Sequence, residues 1–177
     1  SCFLPVALIP AKLANIELFV FDYDGVFNDG TILLMPDGSE VRQASTHDGF
    51  AVQWAVKQGL KLALLTGGSE KAVASRMVKL GVEEVHLRCE DKFESLKALC
   101  EKLQVPLDKV AYMGDDIPDI VAMREVGLAA CPKDAVEEVR NIAHYISPKR
   151  GGKGCVRDLL EQAMRLKGVW SSEKAHK

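Results

Sequence analysis

The chain has 177 residues, 47% of them hydrophobic and 27% charged, with a formal net charge of −2. That length suits one domain with a full core. The balance excludes a disordered chain, and it excludes the basic face that nucleic acid requires.

The first segment, SCFLPVALIPAKL, is apolar but interrupted by Pro5 and Pro10. It is too short to span a bilayer and lacks the basic lead of an export signal. Residues 1–16 therefore read as an extended arm, packed on its own domain or on a neighbouring subunit, and no membrane partner is expected. From Glu17 strand-like and helix-like segments alternate. Residues 17–22 (ELFVFD) are a continuous apolar run of strand length, as in a central strand buried on both faces. Residues 31–35 and 41–45 flank the turn PDGSE and predict a hairpin. Residues 48–58 show helical spacing before Gly59, and 61–66 form a second buried strand. A helix is expected over 69–80, with Ser69 as N-cap and Gly81 as stop. A short strand follows at 84–87 and an amphipathic helix at 92–103. Next come a strand at 109–114, a helix at 117–125, a strand at 127–132, a helix at 134–141 and a strand at 143–147. The glycine-rich stretch 149–154 precedes a closing helix at 155–167, and residues 168–177 read as a tail.

Strand alternating with helix predicts an α/β domain over 17–167, its mostly parallel sheet covered on both faces. Only the hairpin departs from the βα rhythm. The five cysteines, Cys2, Cys89, Cys100, Cys131 and Cys155, are odd in number and form no Cys-x-x-Cys pair. They indicate neither a disulfide framework nor a zinc site, and a reducing, cytoplasmic setting is expected.

Ligands of open α/β sheets bind beyond the carboxyl ends of the strands. There the first strand delivers Asp22 and Asp24, the second Thr66, Gly67 and Gly68. The third leads into Asp91-Lys92, and the fourth into Gly114-Asp115-Asp116 with Asp119 a turn later. Each has an ordinary meaning alone: an Asx turn, a helix cap, a solvated lysine, a favourable helix dipole. Together at one sheet edge they make a coherent site. Carboxylates from two strands, Asp22 and Asp115, suit a hard cation, and Mg²⁺ fits best. Lys92, the Thr66 hydroxyl and backbone N–H groups near Gly67 can hold a phosphate. One aspartate can attack phosphorus. Because residues i and i+2 of a strand point the same way, Asp24 is expected on the Asp22 side, as the proton carrier.

The motifs FDYDG, LLTG, the lysine of EDK and GDDIPD occur in order and resemble the four motifs of the haloacid dehalogenase superfamily over residues 17–165. The resemblance implies a Rossmann-like fold with a protruding hairpin. The gaps between motifs are too short for a cap domain, so the chain is similar to the capless branch. It implies that Asp22 is nucleophile and metal ligand. Asp24 would be the general acid/base and would bind Mg²⁺ through its backbone carbonyl. Thr66 and Lys92 would hold the phosphoryl group, with Asp115 as a further metal ligand and Asp116 acting through a metal-bound water. Within that branch, DGVFNDG, the hairpin, HDGFAVQWAVKQG and RGGKGCVRDLL resemble phosphatases of keto-acid sugar phosphates. The implied substrate is 3-deoxy-D-manno-octulosonate 8-phosphate, of lipopolysaccharide biosynthesis, or alternatively a nine-carbon sialic-type acid 9-phosphate. A catalytically silent module partnering a cytidylyltransferase is the alternative from another class.

The same resemblance implies a homotetramer whose hairpins meet at the centre and whose neighbouring subunits close each site. The apolar hairpin residues Ile32, Leu33 and Leu34 fit such an interface. Two positions depart from the family pattern: Gly68 and His47 stand where arginines are usual. Gly67, Gly68, His47, Lys149 and Arg150 are the candidates for substrate contact, with Lys153 alongside and Arg157 weaker. The bland alternatives are a helix-cap neighbour for His47, a solvated loop for 149–153 and a surface position for Arg157.

Overall fold

A computed structural model describes residues 8–171. Six parallel strands form the sheet: β1 (Leu18–Phe21), β4 (Lys61–Leu65), β5 (Glu84–His86), β6 (Val110–Met113), β7 (Leu128–Cys131) and β8 (Tyr145–Ile146). Their order is β5-β4-β1-β6-β7-β8. From β1 the chain builds outward through β4 and β5, then returns to the other side of β1 for β6. The end of β1 is thus the topological switch point, where such sheets bind ligands. Two short strands, β2 (Leu33–Leu34) and β3 (Glu40–Val41), pair antiparallel as a separate hairpin. No cap domain is inserted among the described residues.

Alternation along β1 sorts the core. Phe19 and Phe21 pack on one face under α1 (Leu8–Ala14), α2 (Thr46–Lys57), α3 (Lys71–Lys79) and α7 (Cys155–Leu166). Leu18 and Val20 pack on the other, under α4 (Lys92–Leu103), α5 (Ile120–Glu125) and α6 (Glu137–Ile142). β1, β6 and β7 are buried along their whole length. That burial explains their unbroken apolar runs.

Several expectations need correction. The arm is not extended where it is described. Residues 8–14 form a helix packed against α7, with Ile9, Leu13 and Ile16 buried at helical spacing and Pro10 tolerated in the first turn. Residues 1–7 lie outside the described part of the chain. The hairpin strands are shorter than expected, because the chain leaves the ladder at Arg42 to pack against the loop after β1. α3 begins at Lys71, with Glu70 rather than Ser69 at the cap position and no side-chain cap bond. α5 is preceded by a 3₁₀ turn at Ile117–Asp119. α6 starts at Glu137 rather than 134, because Asp134 instead accepts from the Gly151 N–H at 2.9 Å. The segment after α7 is packed too: Trp54 Nε1 donates to the Val169 carbonyl, and Trp170 meets Phe50 edge-on. Residues 172–177 lie outside the description.

Candidate active site

Strand register brings the site together. Phe21 pairs with Leu64 on β4 and with Met113 on β6. The next residues along the three strands therefore converge at one edge: Asp22, Thr66 just past β4, and Asp115 just past β6. Asp22 N–H donates to the Met113 carbonyl at 3.1 Å, which prolongs the ladder to the nucleophile candidate. Lys92 arrives as the first residue of α4, whose N-cap Asp91 accepts from Glu94 N–H.

Asp22, Lys92 and Asp119 are all buried. Lys92 Nζ lies 2.9 Å from Asp22 Oδ2 and 2.8 Å from Asp119 Oδ1. The hydroxyl of Tyr112, the next-to-last residue of buried strand β6, donates to Asp119 Oδ1 at 2.7 Å. Asp119 Oδ2 accepts from the backbone N–H groups of Asp115 (3.0 Å) and Asp116 (3.3 Å). Burial opposes the charge on Lys92, but Asp22 and Asp119 outweigh it and raise its pKa. Burial first, then the charge of Asp119, pushes the Asp22 carboxyl up to about 6, with Lys92 working in the opposite direction.

Carboxylate oxygens of Asp22, Asp115 and Asp119 lie within 4.8 Å of one another. Their roles differ. Both Asp119 oxygens are already occupied, by Lys92 and Tyr112 on one side and the Asp115–Asp116 backbone on the other. Asp119 is therefore a brace rather than a free ligand. Asp115 Oδ1, by contrast, is buried without any hydrogen-bond partner. Burial and then the charges of Asp22, Asp119 and Asp116 push its carboxyl up to about 8. A buried, unpartnered carboxylate facing a second one calls for a cation. Gly25 completes the cradle: its φ is +82°, and a Cβ there would lie 1.7 Å from Asp115 Oδ2. Mg²⁺, with its preference for one or two carboxylates plus waters, fits Asp22 and Asp115.

The other predicted residues are distributed more unevenly. Thr66 is buried at the edge and its hydroxyl accepts from Gly68 N–H at 3.3 Å, with Gly67 exposed beside it. Asp24 is not placed by strand alternation. β1 ends at Phe21, Asp24 falls in the turn that follows, and its carboxylate points to Asn28 and Arg42. Asp116 caps the 3₁₀ turn through Ile117 N–H at 2.8 Å. Its carboxylate stands outside the acidic cluster, with Asp119 inside instead. His47 and Lys153 line a cavity of ≈ 410 Å³ together with Asn28, Asp29, Ser45 and Gly152. Lys149 and Arg150 are exposed and outside that lining. Arg157 stacks over Phe50 and Trp170.

Asn28, Arg42 and Tyr112 were not singled out for the site by sequence reasoning, and Asp119 was placed at the sheet edge but given no role. Tyr112 did carry a signal: a hydroxyl inside an otherwise apolar central strand needs a partner.

Known proteins resemble this chain in sequence and in fold. The model of the haloacid dehalogenase-like hydrolase family matches residues 84–157. 3-Deoxy-D-manno-octulosonate 8-phosphate phosphatase of Escherichia coli (strain B / BL21-DE3) is 32% identical over 175 residues, covering 98% of this chain and 93% of that protein. The chain belongs to the haloacid dehalogenase-like hydrolases. Among solved haloacid dehalogenase-like structures, the octulosonate 8-phosphate phosphatase of Moraxella catarrhalis superposes with a TM-score of 0.92 at 32% identity, over 97% of this chain and 99% of that one. It holds magnesium, phosphate and the octulosonate sugar. The cobalt-bound Haemophilus influenzae phosphatase gives 0.87 at 25% identity, over 93% and 98%. This chain is accordingly a phosphoric monoester hydrolase of that family, and its Asp22 and Asp115 carboxylates are donors of the kind Mg²⁺ takes.

Proposed function

We propose that the chain hydrolyses 3-deoxy-D-manno-octulosonate 8-phosphate through an aspartyl-phosphate on Asp22. The observation that carries the mechanism is the buried Lys92–Asp22 pair beside the unpartnered Asp115 oxygen. The choice of substrate rests on the named activity of the relatives and on the cavity beside Asp24, whose wall residue Asn28 donates to that carboxylate.

Substrate phosphate would lie between Asp22 and Thr66. Lys92 orients the Asp22 carboxylate and neutralises charge that builds on the phosphoryl oxygens. Mg²⁺, held by Asp22 and Asp115, would offset the negative charge of the phosphate and of the paired carboxylates. An Asp22 oxygen bonds to phosphorus as the ester P–O bond breaks, and Asp24 gives its proton to the departing alkoxide. Water then attacks phosphorus, its proton passes to Asp24, and inorganic phosphate leaves with the Asp22 carboxylate restored. Asp119 and Tyr112 touch no substrate in this scheme: Asp119 holds Lys92, and Tyr112 holds Asp119.

The working unit we propose is a homotetramer in the cytoplasm. Leu33 and Leu34 are 62% and 72% exposed on the hairpin, an apolar surface suited to a partner copy. Cys89, Cys100, Cys131 and Cys155 are free thiols, which suits a reducing compartment. No helix among the described residues is long and apolar enough to cross a membrane.

Eight- and nine-carbon keto-acid phosphates assayed side by side with Mg²⁺ should show at least a tenfold higher kcat/KM for the octulosonate ester. A preference for the nine-carbon ester would overturn the substrate. Asp22→Asn should abolish phosphate release while keeping the fold; normal turnover by that variant would overturn the mechanism. Light scattering should report four copies, and a fully active monomer would refute the assembly.

A further inference from the structure

Arg42 is the first residue past β3, and its side chain turns inward to only 9% exposure. Its neighbours on the hairpin face the other way: Val41 is 47% exposed. Arg42 Nε donates to both oxygens of Asp24, to Oδ1 at 2.9 Å and more weakly to Oδ2 at 3.2 Å. Its Nη1 sits 3.0 Å from Glu40 and 3.4 Å from Glu70, close enough for ion pairing but not aligned for a hydrogen bond. Its Nη2 points to the Thr66–Gly68 turn, where a Cβ on Gly68 would lie 3.8 Å away.

Asn28 completes the hold. Its Nδ2 donates to the same Asp24 Oδ1 at 2.9 Å, and its Oδ1 accepts from Gly25 and Gly30 N–H at 2.8 and 2.9 Å. Asp24 Oδ1 therefore has two short donors, whereas Oδ2 accepts only the longer arm of the Arg42 Nε bond and keeps the rest of its lone-pair capacity. The segment is pinned a second time where the Tyr23 hydroxyl donates to the Gln43 carbonyl at 3.0 Å.

We infer that Arg42 is a positioning residue for Asp24: it fixes the carboxylate through Oδ1 and leaves Oδ2 as the oxygen that exchanges the proton with the leaving group and the hydrolytic water. A fixed carboxylate matters most where a poor leaving group needs a proton as its bond to phosphorus breaks. A guanidinium suits the task because its rigid planar fork holds Asp24 on one edge while its Nη atoms face Glu40, Glu70 and the Gly68 turn; an ammonium supplies the charge without that fixed geometry and should do the task only in part. The inference rests on the phosphatase reading and deepens it, since it makes the hairpin part of the catalytic apparatus rather than only an assembly surface.

Leaving-group dependence tests this. kcat/KM, which reports steps through release of the alcohol, is measured with Mg²⁺ for 4-nitrophenyl phosphate and for a panel of alkyl esters. The panel includes glycerol 3-phosphate, hexose 6-phosphates and the octulosonate 8-phosphate. 4-Nitrophenolate leaves without a proton. Arg42→Met should lower kcat/KM for the best alkyl ester at least 30-fold, with a loss for the aryl ester at least tenfold smaller. Arg42→Lys should recover several-fold of the alkyl rate. Equal losses on both esters, as from a merely structural role, or no loss on either, would overturn the inference. So would a lysine variant no better than methionine. A wild type inactive on every ester would overturn the phosphatase reading and this inference together. An active wild type with equal variant losses would overturn this inference alone.

Discussion

Replacing Asp115 with asparagine separates the need for a cation from the need for a fold. In the metal-free protein, burial and the neighbouring charges of Asp22, Asp119 and Asp116 carry the Asp115 carboxyl from 3.8 up to about 8. A carboxyl that holds its proton more tightly in the folded state stabilises the fold fully below its unfolded value. That contribution is lost as pH rises through the folded value. Metal-free wild type should therefore lose stability between pH 3.8 and about 8. At about 1.4 kcal/mol per tenfold change in proton affinity, the whole displacement corresponds to about 6 kcal/mol. Part of it is repulsion shared with Asp22, and part is screened by solvent, which leaves about 2–3 kcal/mol as the working figure. Asparagine keeps the shape and removes the charge, and nearby carboxylates can accept from its amide. Without metal at pH 8, Asp115→Asn should melt roughly 5–10 °C above wild type, and the gap should narrow at pH 5. Adding millimolar Mg²⁺ should raise the wild-type Tm and leave the variant unmoved. The assay is thermal denaturation at both pH values, with chelator and with Mg²⁺. A variant no more stable than wild type at pH 8, or one still stabilised by Mg²⁺, would refute the reasoning.

Gly25→Ala should displace Asp115, because the new methyl would fall 1.7 Å from its Oδ2 in a backbone conformation that L-residues avoid. Mg²⁺ affinity and kcat/KM should each fall at least tenfold; unchanged Mg²⁺ titration would contradict the cradle. Asp119→Asn should destabilise the fold by about 3 kcal/mol in urea unfolding, because it withdraws one of the two charges that neutralise a buried lysine. With its oxygen facing the Asp115–Asp116 backbone, its amide would meet Lys92 donor to donor and the Tyr112 hydroxyl would have to turn from donor to acceptor. A variant as stable as wild type would show that Lys92 needs only Asp22.

The strand ends were legible in the sequence because each follows an apolar run that can only be a buried strand. That places Asp22, Thr66 and Asp115 at one edge without any tertiary information, while Lys92, six residues past the half-buried β5, depends on where that loop leads. The destination of a side chain was harder to read. Asp24 lies two residues past Asp22, but β1 ends at Phe21, so its setting comes from the turn and from the hairpin residue Arg42 rather than from strand alternation. No local pattern announces Arg42 as its partner, because the pair is 18 residues apart and joined only by folding. Asp119 could be read locally as a cap, and it does cap; that it also braces Lys92 depends on α4 packing beside the 3₁₀ turn. The helix at 8–14 was obscured by two prolines, although Ile9 and Leu13 already stood at helical spacing. α6 began late because Asp134 serves a glycine loop that follows it in the chain.

Phe21 is paired at once with Leu64 and Met113, so the central strand sets the level at which its two neighbours end. The reacting groups come from segments far apart in the chain, and no fragment holds more than a part of them. Turnover is therefore a reporter of the whole sheet. Catalytic rate followed through heating or denaturant should vanish with the cooperative loss of the parallel core, and no folded substructure short of it should retain activity.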